Sequence, residues 1–173
     1  MIVAATKSPD DTRELAAAVA GVVQPGDVLL LAGELGSGKT VFAQGFGRGL
    51  EVEEQVTSPT FTLLRIYEGR ITLVHADVYR LDHLQEVVDL ALPELLDDGG
   101  VALIEWGDVA AAALGPDFLE VGLDPGVGDD DRLLTLRAVG GRWSGRLPLL
   151  AVVLDRWLVD PGPAPGAVRG ALR

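Results

Sequence analysis

Within the stretch "GELGSGKT", Gly33, Gly38, Lys39 and Thr40 keep the spacing G-x-x-x-x-G-K-[ST], which marks a backbone loop that wraps the phosphates of a nucleotide. The chemistry such a loop serves is phosphoryl transfer or hydrolysis. Its N–H groups from Gly36 to Thr40 are expected to point at phosphate oxygens from the start of a helix. Lys39 would reach the β- and γ-phosphates, and Thr40 would give its hydroxyl to Mg2+. Motors, switches, kinases and assembly factors share this loop, so it predicts the ligand and leaves its use open.

Three further segments carry residues of the right type. "VALIE" ends in Glu105, a carboxylate at the carboxyl edge of a buried strand, where a second acid near the metal belongs. Trp106 follows it at the same edge, where ligands bind in open α/β sheets. In "HADVYRL", Asp77 follows a strand and is read as holding the metal or orienting a water, with His75 and Arg80 pairing with it or with phosphate. A salt-bridged turn explains the same residues equally well. "TSPTF", Thr57 to Phe61, sets three hydroxyls around a proline, where switch loops of nucleotide hydrolases place a metal-sensing Thr; simple turn chemistry is the rival reading.

The elements that must position these groups can be read in order. Ser8-Pro9-Asp10-Asp11 is a helix start, with Ser8 as cap, Pro9 at the first helical position and acids in the first turn. "PGD" at Pro25 to Asp27 is a turn, and "VLLLAG" is a short, wholly apolar run of the kind buried strands make. The glycine loop then opens a helix over about Lys39 to Leu50. Phe61 to Tyr67 and Arg70 to Ala76, parted by Glu68-Gly69, predict a β-hairpin. Two short helices are expected across Leu84 to Leu96, then a buried strand in "GGVALIEWGD", then late strands at Phe118 to Leu123 and Leu133 to Val139 around the acidic turn "DPGVGDDD". No internal repeat is visible. Together these predict an α/β, P-loop NTPase-like three-layer fold with a mixed central sheet. That domain is assigned to residues 1–146. Residues 147–173 are set apart: Leu147, Leu150, Leu154 and Trp157 fall at helical spacing, and "VDPGPAPGAVRGALR" is Pro/Gly-rich and expected to be disordered.

Composition narrows the partners. The 173 residues suffice for one domain with a real core. Lys and Arg number 14 against 26 Asp and Glu, a net charge of −12, which repels phosphate backbones and disfavours direct nucleic-acid binding. No Cys is present, so disulfides, thiolate metal sites and cysteine nucleophiles are excluded. The acids in "MIVAATKSPDDTRELAAA" break any signal-peptide pattern, and no apolar run approaches the roughly 20 residues of a membrane span. A cytoplasmic, membrane-independent protein is expected.

"GELGSGKT", "TSPTF", "HADVYRL" and "IEW", in this order, resemble the TsaE (YjeE) family of bacterial P-loop ATPases, needed for the N6-threonylcarbamoyl modification of adenosine beside the tRNA anticodon. The resemblance spans roughly Pro9 to Trp143. It implies that Gly33, Glu34, Leu35, Gly36, Ser37, Gly38, Lys39, Thr40 and Val41 cradle ATP, with Thr40 and Glu105 at Mg2+. It implies a switch-like role for Thr57, Ser58 and Thr60, and makes Asp77, with Lys39 and Glu105, part of the catalytic set. Trp106 is implied as a functional contact, and the helix start from Asp10 to Thr12 lies near the adenine in family structures, though capping is the simpler role for these residues. Where relatives commonly carry Pro-Glu after "IEW", this chain has Gly107-Asp108, and Asp108 keeps the charge.

The resemblance further implies that hydrolysis serves a threonylcarbamoyl-transfer complex with TsaB and TsaD partners, tRNA being met only through the complex. A small-molecule kinase using the same loop is the alternative, but such enzymes add lid arginines, and no Arg lies between Arg80 and Arg132. A GTPase would need an N-K-x-D type segment, and the only lysines are Lys7 and Lys39.

Overall fold

The computed structural model describes residues 1–59, 62–78, 92–105 and 116–160. Strand β1 (Ile2–Thr6) leads into α1 (Pro9–Ala20), then β2 (Val28–Ala32), α2 (Lys39–Gly49), β3 (Leu64–Tyr67), β4 (Leu73–Asp77), α3 (Leu92–Asp97), β5 (Val101–Glu105), β6 (Phe118–Pro125), β7 (Arg132–Val139) and α4 (Gly141–Val153). The strands form one sheet in the order β1-β7-β6-β2-β5-β4-β3. β2 runs parallel to β5 and β6, and β4 runs parallel to β5. The pairs β1–β7, β6–β7 and β3–β4 are antiparallel. The sheet is therefore mixed, as expected, and its parallel part, β6-β2-β5-β4, includes the runs "VLLLA", "LVHAD" and "VALIE", which are buried on both faces.

Alternation along these strands sends side chains to two cores. Leu29, Leu31, Leu73, Val101, Leu103 and Leu119 join residues of α1, α2 and α4 on one face. Val28, Leu30, Val74, Ala76, Ala102 and Ile104 meet Leu92, Leu95 and Leu96 of α3 on the other. On the first face α1 and α2 touch backbone to backbone: a Cβ built at Gly45 would lie 2.2 Å from the Arg13 carbonyl oxygen. A side chain there would push α2 away from α1, and with it the loop that α2 carries.

Two elements differ from the sequence-based expectation. β1 was not foreseen, because five residues with two alanines give little strand signal; pairing with β7 makes it a strand. The C-terminal helix begins at Gly141 rather than at Leu147 and has Pro148 inside it, so the expected boundary between 146 and 147 falls within the helix. Leu150, Leu154 and Trp157 are buried in the main core. Arg146 anchors the helix: its guanidinium donates to both carboxylate oxygens of the buried Asp27, at 2.6 and 2.7 Å, and stacks on Trp143 at 4.1 Å. Of the two short helices expected across Leu84 to Leu96, the part up to residue 91 lies outside the described residues, as do the start of the hairpin at Phe61 and residues 161–173 of the tail expected to be disordered.

Candidate functional site

The loop starts where β2 ends. Gly33 has φ +150°, and a Cβ there would lie 2.6 Å from the Leu123 carbonyl oxygen on β6, so only glycine lets the chain leave the sheet at this point. The Ser37 N–H donates to the Glu34 carbonyl at 3.1 Å, closing a turn with Leu35 fully exposed at its tip. Gly38, at φ +106°, leads into α2, whose first turn closes with Phe42 N–H on the Gly38 carbonyl at 2.9 Å. The first N–H groups of a helix have no partner within it and favour an anion at its end. Lys39 Nζ donates to the carbonyls of Gly33 at 2.8 Å and Glu34 at 2.9 Å. The hydroxyl of Ser37 is buried in the loop and has no hydrogen-bond partner among the described residues.

The carboxylates come from across the sheet. β4 and β5 are paired so that Asp77 lies beside Glu105, and alternation puts both on the face covered by α2, at the strand ends nearest its N-terminus. Both are buried. They act on Lys39 in a definite way. Burial lowers the ammonium's pKa below its usual 10.5, and attraction to Glu105 and then Asp77 opposes that drop. His75, two residues before Asp77 on the same face, places Nε2 3.0 Å from Glu105 Oε1. With Glu105 ionised, Nε2–H is the donor. The other ring nitrogen, Nδ1, is buried with no partner among the described residues.

The described part of the hydroxyl segment is held by β3. Thr57 N–H donates to Tyr67 Oη at 3.2 Å, and the Asp77 N–H donates to the Leu63 carbonyl at 2.9 Å, which ties Leu63 to the base of Asp77. Thr57 and Ser58 are half-buried. Thr60, Arg80, Trp106 and Gly107-Asp108 lie outside the described residues.

At the helix start, each side chain already has a structural partner. Asp11 N–H donates to the Ser8 hydroxyl at 3.1 Å, the cap expected from the sequence. Asp10 pairs with Arg13 at 2.7 Å on the surface. Thr12 is buried, its hydroxyl 2.7 Å from that of Thr6 and donating to the Ser8 carbonyl at 3.2 Å. Asp11 accepts from Lys7 N–H at 2.9 Å and from Trp157 Nε1 at 2.6 Å. These bonds account for Asp10 to Thr12 as a cap and a packing contact.

One residue at the loop was not found from the sequence. Arg132, at the start of β7, donates from Nε to the Ser37 carbonyl at 2.8 Å, across 95 positions of chain. Next to it, Lys7 Nζ donates to Asp131 at 2.7 Å, and that bond, with the Gly128 N–H, holds the Asp131 carboxyl below its usual 3.8. A single arginine at a strand start has no sequence signature that points to a loop so far away.

Taken together, a glycine loop at a helix N-terminus, a buried ammonium and two carboxylates on adjoining strand ends provide for an anion and for a hard cation beside it. The orphaned Ser37 hydroxyl and the hydroxyl of Thr40 fit a phosphate and Mg2+ there.

Comparison with known proteins places the chain among relatives. The sequence model of the family described as "Threonylcarbamoyl adenosine biosynthesis protein TsaE" matches residues 6–132. A protein of Bacillus subtilis named "tRNA threonylcarbamoyladenosine biosynthesis protein TsaE" is 41% identical over 139 residues, 80% of this chain and 86% of that one. Its namesake from Streptomyces coelicolor is 40% identical over 139 residues, covering 76% and 93%. Among solved structures, "Crystal structure of Bacillus subtilus YdiB" superposes with a TM-score of 0.75 at 35% identity, covering 88% of this chain and 97% of that one.

Proposed function

The chain belongs to the TsaE family, and from that premise we propose that it binds ATP with Mg2+ and hydrolyses it in the biosynthesis of threonylcarbamoyladenosine in tRNA. The observation that carries this reading is the convergence of Lys39 with Asp77 and Glu105 at the glycine loop. Gly33 to Val41 would hold the phosphates with backbone N–H groups and the Lys39 ammonium. Thr40 and Glu105 would hold Mg2+, since both offer hard oxygen donors. Bound Mg2+ would neutralise charge on the phosphates. Asp77 would orient a water, and His75 would steady Glu105 by its 3.0 Å hydrogen bond. Lys39 moves from the Gly33 and Glu34 carbonyls to phosphate when an anion arrives, exchanging neutral acceptors for a charged one. Thr57, Ser58 and Thr60 would report the state of the nucleotide, and Trp106 would join the site at the edge of β5.

The partners are proposed on electrostatic grounds together with family membership. A net charge of −12 favours protein surfaces over naked tRNA, so the chain is proposed to act through TsaB and TsaD in the cytoplasm and to meet tRNA only inside that assembly. Among the described residues, no helix is long and apolar enough to cross a membrane.

The test is ATP hydrolysis by the full chain, alone and with the TsaB–TsaD pair. Slow turnover alone and a rise of about tenfold or more with the pair are expected, because partner contacts complete the site. Rapid turnover indifferent to the pair would overturn the assignment, and transfer of phosphate to a nucleoside or sugar would replace it with a kinase.

A further inference from the structure

We propose that Arg132 is a positioning residue of the phosphate loop, fixing the peptide between Ser37 and Gly38 so that the Gly38 N–H faces the bound anion. The proposal rests on reading "GELGSGKT" as a nucleotide loop.

The register of the sheet sets up the contact. Arg132 is the first residue of β7, paired with Thr6 of β1 on one side and with Pro125 of β6 on the other. β6 in turn borders β2, from which the loop springs. From there the guanidinium bridges two backbones. Nη1 donates to the carbonyls of Asp129 at 2.9 Å and Asp131 at 2.7 Å, which anchors it in the acidic turn. Nε donates to the Ser37 carbonyl at 2.8 Å, and Nη2 lies 3.5 Å from that of Gly36. A Cβ built on Gly38 would lie 3.6 Å from Nε, so the guanidinium packs directly against the loop.

The consequence follows from peptide geometry. In a planar trans peptide the C=O and the next N–H point in opposite directions. Drawing the Ser37 carbonyl outward to Arg132 therefore turns the Gly38 N–H inward, to the side where Lys39 and the head of α2 lie. A peptide next to glycine at φ +106° reorients at little cost when nothing holds it. A donor already in place when the anion arrives needs no reorganisation to bind it. Arg132 needs no contact with the nucleotide to do this; it acts through the backbone.

Calorimetric titration of the full chain with MgATP tests this, using wild type, Arg132→Ala, Arg132→Lys and Lys39→Ala, with thermal melting of each protein. Arg132→Ala is expected to weaken ATP binding about tenfold, the scale of one charge-assisted hydrogen bond, at an essentially unchanged melting temperature. Arg132→Lys keeps a cationic donor group but not the planar fork, and is expected to recover part of the loss. The Gly38 amide resonance in the ATP complex is expected to shift upfield in Arg132→Ala, away from its phosphate-bound position. Wild-type affinity and an unmoved Gly38 resonance in Arg132→Ala would overturn the positioning role while leaving the nucleotide loop intact. So would an affinity loss that follows a matching drop in melting temperature and is not relieved by lysine. A wild-type chain that binds no ATP would overturn the nucleotide reading, and this role with it.

Discussion

The two ends of β2 both carry buried charge, and they handle it differently. At the N-terminal end Asp27 is saturated: Arg146 takes both carboxylate oxygens, the Gln24 N–H donates to one of them at 2.7 Å, and Arg142 stands 3.7 Å away. At the C-terminal end Lys39 rests on two neutral carbonyls, with the carboxylates of Asp77 and Glu105 close enough to stabilise its charge. The first arrangement satisfies its groups with one another and fixes a helix. The second gathers charge of both signs beside the glycine loop. The two ends thus differ in what surrounds the buried charge: a bidentate guanidinium at Asp27, and backbone carbonyls of the glycine loop at Lys39.

The largest expected effect breaks the structural end. Asp27→Ala leaves the Arg146 guanidinium, only 13% exposed, without its partner, and is expected to cost about 3–5 kcal/mol of stability in urea unfolding. ATP affinity of the folded protein should stay within about twofold, the scatter of independent, distant sites. An equal loss of affinity would show that the two ends of β2 are coupled, and the contrast between them would fall.

Next comes Lys39→Ala, which strikes the other end. It removes the ammonium and is expected to lower ATP turnover about 10²–10³-fold, the cost of one preorganised donor at a charged centre, while unfolding free energy changes by about 1 kcal/mol or less. Unchanged turnover would remove Lys39 from the chemistry. A smaller effect is expected from Glu105→Gln, which keeps shape and can still accept from His75. Turnover should fall about 10–100-fold, the range for groups that orient a metal's surroundings, with a parallel rise in the Mg2+ concentration needed. If Gln supports wild-type turnover, Glu105 belongs with Asp27 as a structural acid.

The two ends also differed in how far the sequence disclosed them. The loop was legible because its spacing is contiguous and its physics local: glycines for the turn, a lysine and a hydroxyl at a helix start. Asp77 and Glu105 were legible singly, each as an acid ending an apolar run. Their pairing was not, since the register of β4 on β5 is set by packing across the whole sheet. Arg132 was invisible for the same reason at longer range; its gap from Arg80 was read as a missing lid, and its contact with Ser37 depends on β1, β6 and β7 together. The Asp27–Arg146 clamp was equally hidden, because "PGD" reads fully as a turn and nothing local announces a partner 119 residues away.

The smallest effect concerns the rim of the loop, where Lys7 meets Asp131 beside the Arg132 clamp. The Lys7 hydrogen bond holds the Asp131 carboxyl below 3.8 in the folded state. For an acid with a depressed folded pKa, the stability it contributes is present above the unfolded value and is lost as pH falls through the folded one. The melting-temperature gap between wild type and Asp131→Asn should therefore be widest near neutral pH, close as the pH drops below about 3.8, and narrow in high salt, which screens an exposed ammonium. A gap independent of pH would assign it to the turn and not to the ion pair. Arg132 takes the backbone carbonyl of Asp131 and not its carboxylate, so Asp131→Asn leaves the clamp in place and ATP affinity should not move. If affinity fell as far as in Arg132→Ala, the side chain of Asp131 would belong to the clamp, and the functional end of β2 would extend through the acidic turn to Lys7.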